Sequence, residues 1–128
     1  MYIYYNPNPE KRATGDCIIR AISKLTDKDW ERTYLGICLQ GLLLHDMPEQ
    51  NYVWSEYLYH QGYIRDVIPN TCPNCYTVKD FCIDNPKGSF LLAIQDHVVA
   101  VIDGNYYDAW DSGNEVPLYY WRKDPRLI

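Results

Sequence analysis

The last third of the chain consists of short runs rich in β-branched and aromatic residues, separated by turn-forming residues. Runs of this length and composition are typical of β-strands. Asp103-Gly104-Asn105 lies between two of them and is a strong signal for a tight hairpin. The pattern therefore predicts a C-terminal antiparallel sheet. Its strands are expected at residues 89–95, 97–102, 106–110 and 116–121.

The region before this sheet shows the signals of helices. Apolar residues recur on one face from residue 17 onward, and a helix is therefore expected to begin near Cys17. Further starts are predicted at Thr26 with Asp29, at Pro48, and at Thr77 with Asp80, and a short strand is expected at 63–68. Helices followed by an antiparallel sheet indicate an α+β fold, and 128 residues suit one domain, 1–128.

Composition and charge exclude several classes of protein. Hydrophobic residues make up 47% of the chain and charged residues 23%, which argues against disorder. The net charge is −5 and no basic run exceeds two residues, so general nucleic-acid binding is not expected. The longest apolar stretch, near 42–44, is too short to cross a membrane. The first residues lack the pattern of a secretory signal, which predicts a cytoplasmic protein with free thiols.

Cys17 is the best candidate for a catalytic nucleophile. A cysteine reacts as its thiolate, and the amino end of a helix and a neighbouring imidazolium are the usual means of lowering its pKa. Cys17 follows Thr14-Gly15-Asp16 at the point where the helical pattern begins. Backbone N–H groups there would also stabilise a developing oxyanion. The competing interpretation is a buried structural thiol.

His97 is the candidate base, because the hairpin places a carboxylate beside it. With a two-residue loop at Asp103-Gly104, Val99 pairs with Asp108. Asp108 then lies diagonally across from His97, within reach of its ring, and would fix the orientation of the imidazole. A three-residue loop would instead place Asp111 opposite His97. The alternative reading of His97 is a surface histidine at a strand start.

These residues resemble those of the papain-like superfamily. The order is similar: a cysteine at a helix start, a distant histidine that opens a strand, and an aspartate on the next strand. TGDCIIRAIS at 14–23 and DHVVAVIDGNYYDAWDS at 96–112 look like small papain-like proteins of bacterial and phage genomes, as does the segment 77–94. More distant relatives include bacteriocin-processing peptidases and transglutaminase-like domains. The resemblance spans residues 6 to about 120.

The resemblance implies a papain-like fold and a Cys17–His97–Asp108 triad. Members of the superfamily usually carry a glutamine about six residues before the cysteine, which completes the oxyanion hole. Lys11 occupies that place here, and Asn6 and Asn8 are the two candidates to replace the glutamine.

Cys72 and Cys75 form a C-x-x-C pair that has the spacing of one half of a zinc site. A structural zinc normally needs four ligands, and no second pair is present, so turn or core thiols are the favoured interpretation. A zinc-stabilised module and a redox pair are the alternatives. No metal or cofactor is therefore predicted.

The expected function is a cysteine-dependent hydrolase that acts on a peptide, isopeptide or thioester bond of a peptide or protein substrate. Peptidase, deamidase and acyltransferase activities remain open, as does the oligomeric state. The alternative is a papain-fold binding or inhibitor protein, weak or inactive as a catalyst, whose acidic surface occupies a basic site on its partner.

Overall fold

Four helices and six strands make up the mixed α+β fold of the computed structural model, which describes residues 1–127. The helices are α1 (Cys17–Thr26), α2 (Trp30–Leu44), α3 (Asn51–His60) and α4 (Val78–Asp84). The strands are β1 (Tyr2–Tyr4), β2 (Tyr63–Val67), β3 (Ser89–Ile94), β4 (His97–Ile102), β5 (Asn105–Asp108) and β6 (Tyr119–Lys123), followed by a 3₁₀ turn at Pro125–Leu127. No helix in the described part of the chain has the length and apolar character to span a membrane.

All six strands form one sheet in the order β1-β5-β4-β3-β6-β2. Its central strands are covered on both faces. Val98 and Ala100 of β4 pack in a cluster with α1 and α3, whereas Val99 and Val101 pack in a second cluster with α4. Double coverage explains why β3 and β4 read as continuous apolar runs instead of alternating with polar residues. α2 packs on α1 and α3.

The predicted sheet is wrong in its arrangement. β1 precedes every helix and β2 lies between α3 and α4 in sequence, yet the two strands form the edges of the sheet. β1 pairs with β5 in parallel, so the sheet is mixed and not antiparallel throughout. The Asn-Pro pairs at 6–7 and 8–9 favour an extended loop in this part of the chain. A three-residue edge strand carries too little pattern of its own, because its pairing depends on a strand about a hundred residues away.

Two of the strands also differ from the prediction by two or more residues at a boundary. The strand expected at 116–121 is β6, which begins at Tyr119, since Pro117 has no N–H to donate to a neighbouring strand. The strand expected at 106–110 is β5, which ends at Asp108, where the side chain of Asp108 accepts from the N–H of Ala109. The pairing of β5 with its neighbouring strands ends at this bond.

The helix starts were predicted with mixed success. α4 has the expected capping box between Thr77 and Asp80, which is confirmed. For α2, Asp29 caps the helix by accepting from the N–H of Arg32, whereas Thr26 is the last residue of α1. α3 begins after Gln50, so Pro48 lies before the helix and not in its first turn.

The hairpin between β4 and β5 has the predicted two-residue loop. Asp103 and Gly104 both have positive φ, 49° and 77°, as a type I′ turn requires. Ile102 pairs with Asn105, which confirms the predicted register. This register sets which side chain of β5 lies beside His97.

Cys72 and Cys75 are joined by a disulfide in the loop between β2 and α4. The expectation of free thiols is therefore wrong for this pair, whereas Cys17, Cys38 and Cys82 are free in the described part of the chain. The two residues are close enough in sequence for their sulfurs to meet within one turn, a possibility that the C-x-x-C spacing had suggested only as a redox pair. Sulfurs bonded to each other are not available as zinc ligands.

Candidate active site

Cys17 is the first residue of α1, as the sequence predicts. The apolar face of this helix, which includes Ile22 and Leu25, packs on the sheet against Val98 and Ala100 of β4. This packing brings the amino end of α1 to the start of β4. The thiol is half-buried and interacts with the His97 side chain and the backbone N–H of Val98.

His97 and Asp108 are hydrogen-bonded in the structure. Nε2 of His97 lies 2.6 Å from Oδ2 of Asp108, and since an ionised carboxylate can only accept, Nε2 is the donor. The side chain of Asp108 is 1% exposed. Because Nε2 is committed to Asp108, Nδ1 is the ring nitrogen that remains for Cys17. The structure thus brings the three residues predicted from the sequence into one cluster.

The carboxylate of Asp108 accepts four hydrogen bonds from the described residues. Oδ2 accepts from His97 and from the hydroxyl of Ser112, the latter at 2.7 Å. Oδ1 accepts from Nη2 of Arg20 at 2.9 Å and from the N–H of Ala109 at 2.8 Å. Burial alone would raise the pKa of Asp108, but the bonds from His97 and Ser112 outweigh it and hold the pKa below its ordinary value. The carboxylate is therefore ionised and fixed in orientation at neutral pH.

Asp111, the alternative to Asp108, has other partners. Its carboxylate accepts from the hydroxyl of Tyr106 and from the N–H of Gly113 at 3.1 Å. The two-residue hairpin loop explains this outcome, because the three-residue loop that would have placed Asp111 opposite His97 does not form.

The proton distribution favours a thiolate–imidazolium pair. Burial alone would raise the pKa of Cys17, but hydrogen bonding to His97 and to the Val98 N–H lowers it below the ordinary value. Burial alone would lower the pKa of His97, but hydrogen bonds with Asp108 and Cys17 raise it to about 9. Each partner stabilises the charged form of the other, as in activated cysteines generally.

Arg20 is a buried cation that the sequence analysis did not single out. It is 6% exposed and lies one turn after Cys17 on α1. Nη1 donates to Oδ1 of Asp16 at 2.7 Å, and Nη2 donates to Asp108. The second oxygen of Asp16 accepts from the indole of Trp30 at 2.8 Å. The i,i+4 spacing of Asp16 and Arg20 was the signal available in the sequence.

Trp110 covers one side of the imidazole. Its ring centroid is 4.8 Å from that of His97, and the rings are inclined at 38°. Continuing the hairpin register beyond β5 places Trp110 opposite His97, so the sequence contained the information needed to find it. The indole limits the access of water to the bond between His97 and Asp108.

Two clefts meet at the cluster, and both are lined by Cys17, Asp96 and His97. The narrow cleft, about 240 Å³, continues between α3 and β6 past Glu49, Trp54 and Tyr119. The wide cleft, about 590 Å³, continues toward the loop before α1, past Tyr4, Asn6, Arg12 and Trp110. Cys17 is therefore reached from two clefts.

Of the two asparagines proposed to replace the missing glutamine, Asn6 borders the wide cleft together with Cys17. Its amide donates to the carbonyl of Arg12 and its Oδ1 accepts from the N–H of Asn8. Asn8 is buried, and its Oδ1 accepts from the N–H of Glu10. Lys11 turns its ammonium group to the carbonyl of Asn6. These bonds hold the loop that leads to α1.

The remaining thiols and histidines lie outside the cluster. Burial raises the pKa of the Cys82 thiol, which makes it a poor nucleophile. His60 lies 3.0 Å from Oε1 of Gln40 at the end of α3. Within residues 1–127, no three or more His, Cys, Asp and Glu side chains are arranged to hold a metal ion.

Comparison of the chain with protein-family models, with curated proteins and with solved structures finds no match.

Proposed function

We propose that this protein is a cysteine-dependent hydrolase or acyltransferase acting at an amide or thioester carbonyl. The observation that carries the proposal is the cluster of Cys17, His97 and Asp108, in which the pKa of the thiol is lowered and that of the imidazole raised. A buried structural cysteine would show the opposite effect, as Cys82 does. We further propose that the fold is papain-like, which the position of Cys17 at the start of α1 against β4 supports.

In the first step, Sγ of Cys17 attacks the carbonyl carbon of the substrate, and the carbonyl oxygen becomes an oxyanion. The N–H groups of the first turn of α1 are the donors nearest in sequence to stabilise it. His97, already protonated, transfers its proton to the leaving amine or thiol as the tetrahedral intermediate collapses to a thioester.

In the second step, a water molecule or another acceptor attacks the thioester. His97 takes the proton of that acceptor, and Cys17 leaves as the thiolate, which restores the starting pair. Asp108 keeps the ring in one tautomer and orientation in both steps. Whether water or an amine is the acceptor decides between hydrolysis and transfer.

The test begins with iodoacetamide at pH 6, followed by mass spectrometry of each cysteine peptide. Cys17 is expected to react much faster than Cys38 and Cys82, and His97→Ala is expected to slow it. The variant Cys82→Ala is the matched control and should leave the rate at Cys17 unchanged. Equal, slow labelling of all free thiols would remove the basis of the proposal.

A second measurement separates an enzyme from a binding protein. With p-nitrophenyl acetate, the proposed enzyme should release about one equivalent of p-nitrophenolate in a burst and then turn over more slowly. Cys17→Ala should show neither phase. A reactive Cys17 that is acylated once and never deacylated would favour the alternative, a binding protein on the same fold.

A further inference from the structure

Asp16 stands at the N-cap position of α1, yet its side chain does not cap the helix. An aspartate at this position ordinarily accepts a hydrogen bond from a first-turn N–H group. Here one carboxylate oxygen accepts from Arg20 and the other from Trp30. The first-turn N–H groups, which begin at Cys17, are therefore left without a side-chain cap at the place where the thiolate forms.

Arg20 links this unused cap to the other end of the cluster. Its two terminal nitrogens donate to two different carboxylates, Asp16 at 2.7 Å and Asp108 at 2.9 Å. All three side chains are at most 7% exposed, so each interaction is formed largely out of contact with water. A guanidinium presents its donors in a rigid planar fork, which fixes both carboxylates relative to α1.

We propose that Arg20 is a positioning residue that holds Asp108 against His97 and keeps Asp16 off the amino end of α1. This inference rests on the proposed function. The first action ties α1, which carries Cys17, to β5, which carries Asp108. The second keeps the first-turn N–H groups available to stabilise the thiolate and the oxyanion. It also keeps the Asp16 carboxylate away from the Cys17 sulfur.

Arg20 also compensates charge during the reaction. When His97 gives up its proton, Asp108 loses the imidazolium that neutralises it. A buried carboxylate without a cationic partner is strongly disfavoured and tends to take up a proton. Arg20 keeps its positive charge at this stage, because a guanidinium takes no part in the proton transfer. Asp108 therefore remains ionised at the stage when the ring must accept a proton again.

Other charged and titratable groups also face Cys17. Both clefts are lined by His97 from β4 and by Asp96 from the turn before it. The narrow cleft is also lined by Glu49 and Tyr119, and the wide cleft by Arg12. None of these side chains is altered by a substitution at Arg20. A change in the pH dependence of the variant can then be assigned to the loss of the Arg20 charge, which itself lowers the pKa of Cys17, and to its carboxylate partners Asp16 and Asp108.

The experiment measures the iodoacetamide rate at Cys17 at pH 6 and at pH 9 in the full chain. Below the pKa of a thiol, the thiolate fraction falls tenfold for each pH unit by which that pKa rises. For Arg20→Gln we expect the ratio of the pH 6 rate to the pH 9 rate to fall roughly tenfold. Arg122→Gln is the matched control: it breaks the partly exposed pair with Asp66 and should leave the ratio unchanged.

Two further variants separate the two actions of Arg20. The double variant Arg20→Gln with Asp16→Ala also removes the carboxylate that Arg20 no longer holds. The ratio of the pH 6 rate to the pH 9 rate should therefore rise part of the way back to the wild-type value. No recovery would overturn the role assigned to Asp16. Arg20→Lys keeps a charge but not the planar fork, and should show a smaller loss. It also supplies the test if Arg20→Gln does not fold, since a wild-type ratio in Arg20→Lys would then overturn the proposal.

Two outcomes for a folded Arg20→Gln would count against the positioning role. One is a pair of rates equal to those of the wild type, and the other is an equal loss of rate at both pH values, which also leaves the ratio unchanged and indicates general structural damage. Near-ultraviolet circular dichroism reports whether the variant is folded. The proposed function fails separately: in that case the wild-type protein itself shows no fast reaction of Cys17 at pH 6.

Discussion

His97 and Asp108 lie eleven residues apart on adjacent strands and share a 2.6 Å hydrogen bond between Nε2 and Oδ2. They are not directly paired in the ladder but diagonal to one another. A type I′ turn of Asp103 and Gly104 produces this arrangement, because it pairs Ile102 with Asn105 and thereby sets the register of the whole hairpin. One tight turn thus determines which carboxylate the candidate base meets.

Asp108→Asn tests this relationship directly. The amide keeps the shape of the side chain but loses the charge that raises the pKa of His97, so the imidazolium and the thiolate are both destabilised. We expect the alkylation rate of Cys17 at pH 6 to fall by roughly tenfold or more. The measurement is the iodoacetamide rate, with circular dichroism as the check on folding.

Asp111→Asn is the matched control for that variant. Asp111 binds Tyr106 and Gly113 instead of His97, so its neutralisation should leave the Cys17 rate close to that of the wild type. A rate that responds to Asp111→Asn and not to Asp108→Asn would reverse the assignment of the third residue.

The pH dependence of turnover should differ from that of alkylation. Alkylation requires the thiolate alone, so its rate should rise through a pKa below 9.0, the ordinary value for cysteine here, and then stay level. Acylation by an amide substrate also requires the protonated imidazole, because the leaving amine must take up a proton, and the pKa of His97 is about 9. We therefore expect kcat/KM for an amide substrate to rise with the thiolate, to level off near neutral pH and to decline above about pH 9.

A decline of alkylation at the same high pH would contradict this separation, since a free thiolate does not need the imidazolium. The variant His97→Gln provides the control: its alkylation curve should shift toward higher pH, and its turnover should be largely lost.

The narrow cleft carries two carboxylates, Glu49 and Asp96, that form no ion pair among the described residues. Their field should favour cations at the Cys17 sulfur. We expect 2-aminoethyl methanethiosulfonate, a cation, to react with Cys17 faster than its sulfonate-bearing anionic analogue. In Glu49→Gln with Asp96→Asn the ratio of the two rates should fall several-fold, and added salt should reduce it in the wild type.

The double variant Glu31→Gln with Glu115→Gln is the charge-matched control for the cleft, because both residues are exposed and line neither cleft. It should leave the ratio of the two reagent rates unchanged. The same fall in this variant would indicate that net charge, and not the cleft, controls the selectivity.

Gly104→Ala tests the turn that sets the register. Gly104 has a φ of 77°, and a Cβ there would lie 3.3 Å from the carbonyl oxygen of Cys82. A residue with a Cβ is strained at positive φ, so we expect a loss of about 1–2 kcal/mol in the free energy of unfolding, measured with urea. The ladder pairs on either side are unaffected, and the ratio of alkylation rates at pH 6 and pH 9 should persist.

Gly15→Ala serves as the comparison for stability. A Cβ at Gly15 meets no atom within 4 Å, and its φ is outside the positive range. We expect little change in its free energy of unfolding. A loss as large as that of Gly104→Ala would show that the positive φ is not the source of the effect.

Local signals in the sequence determined the helix start at Cys17, the capping box of α4 and the hairpin register, and with them the diagonal contact of His97 and Asp108. Such signals depend on residues a few positions apart, through turn geometry, capping and the alternation of side chains along a strand. They can therefore be recognised without knowledge of the rest of the chain.

Only the tertiary structure decided what surrounds that contact. Arg20 reaches Asp108 across 88 positions, and β1 inserts at an edge of the sheet beside β5. The packing of α1 on β4 brings Cys17 to His97, although neither segment indicates its partner. Many segments have similar local patterns, and burial and charge compensation decide which of them come into contact. The energies of these two effects depend on groups from distant parts of the chain. The sequence identified Cys17, His97 and Asp108 as candidates, and the folded chain added Arg20, the buried cation that contacts Asp108.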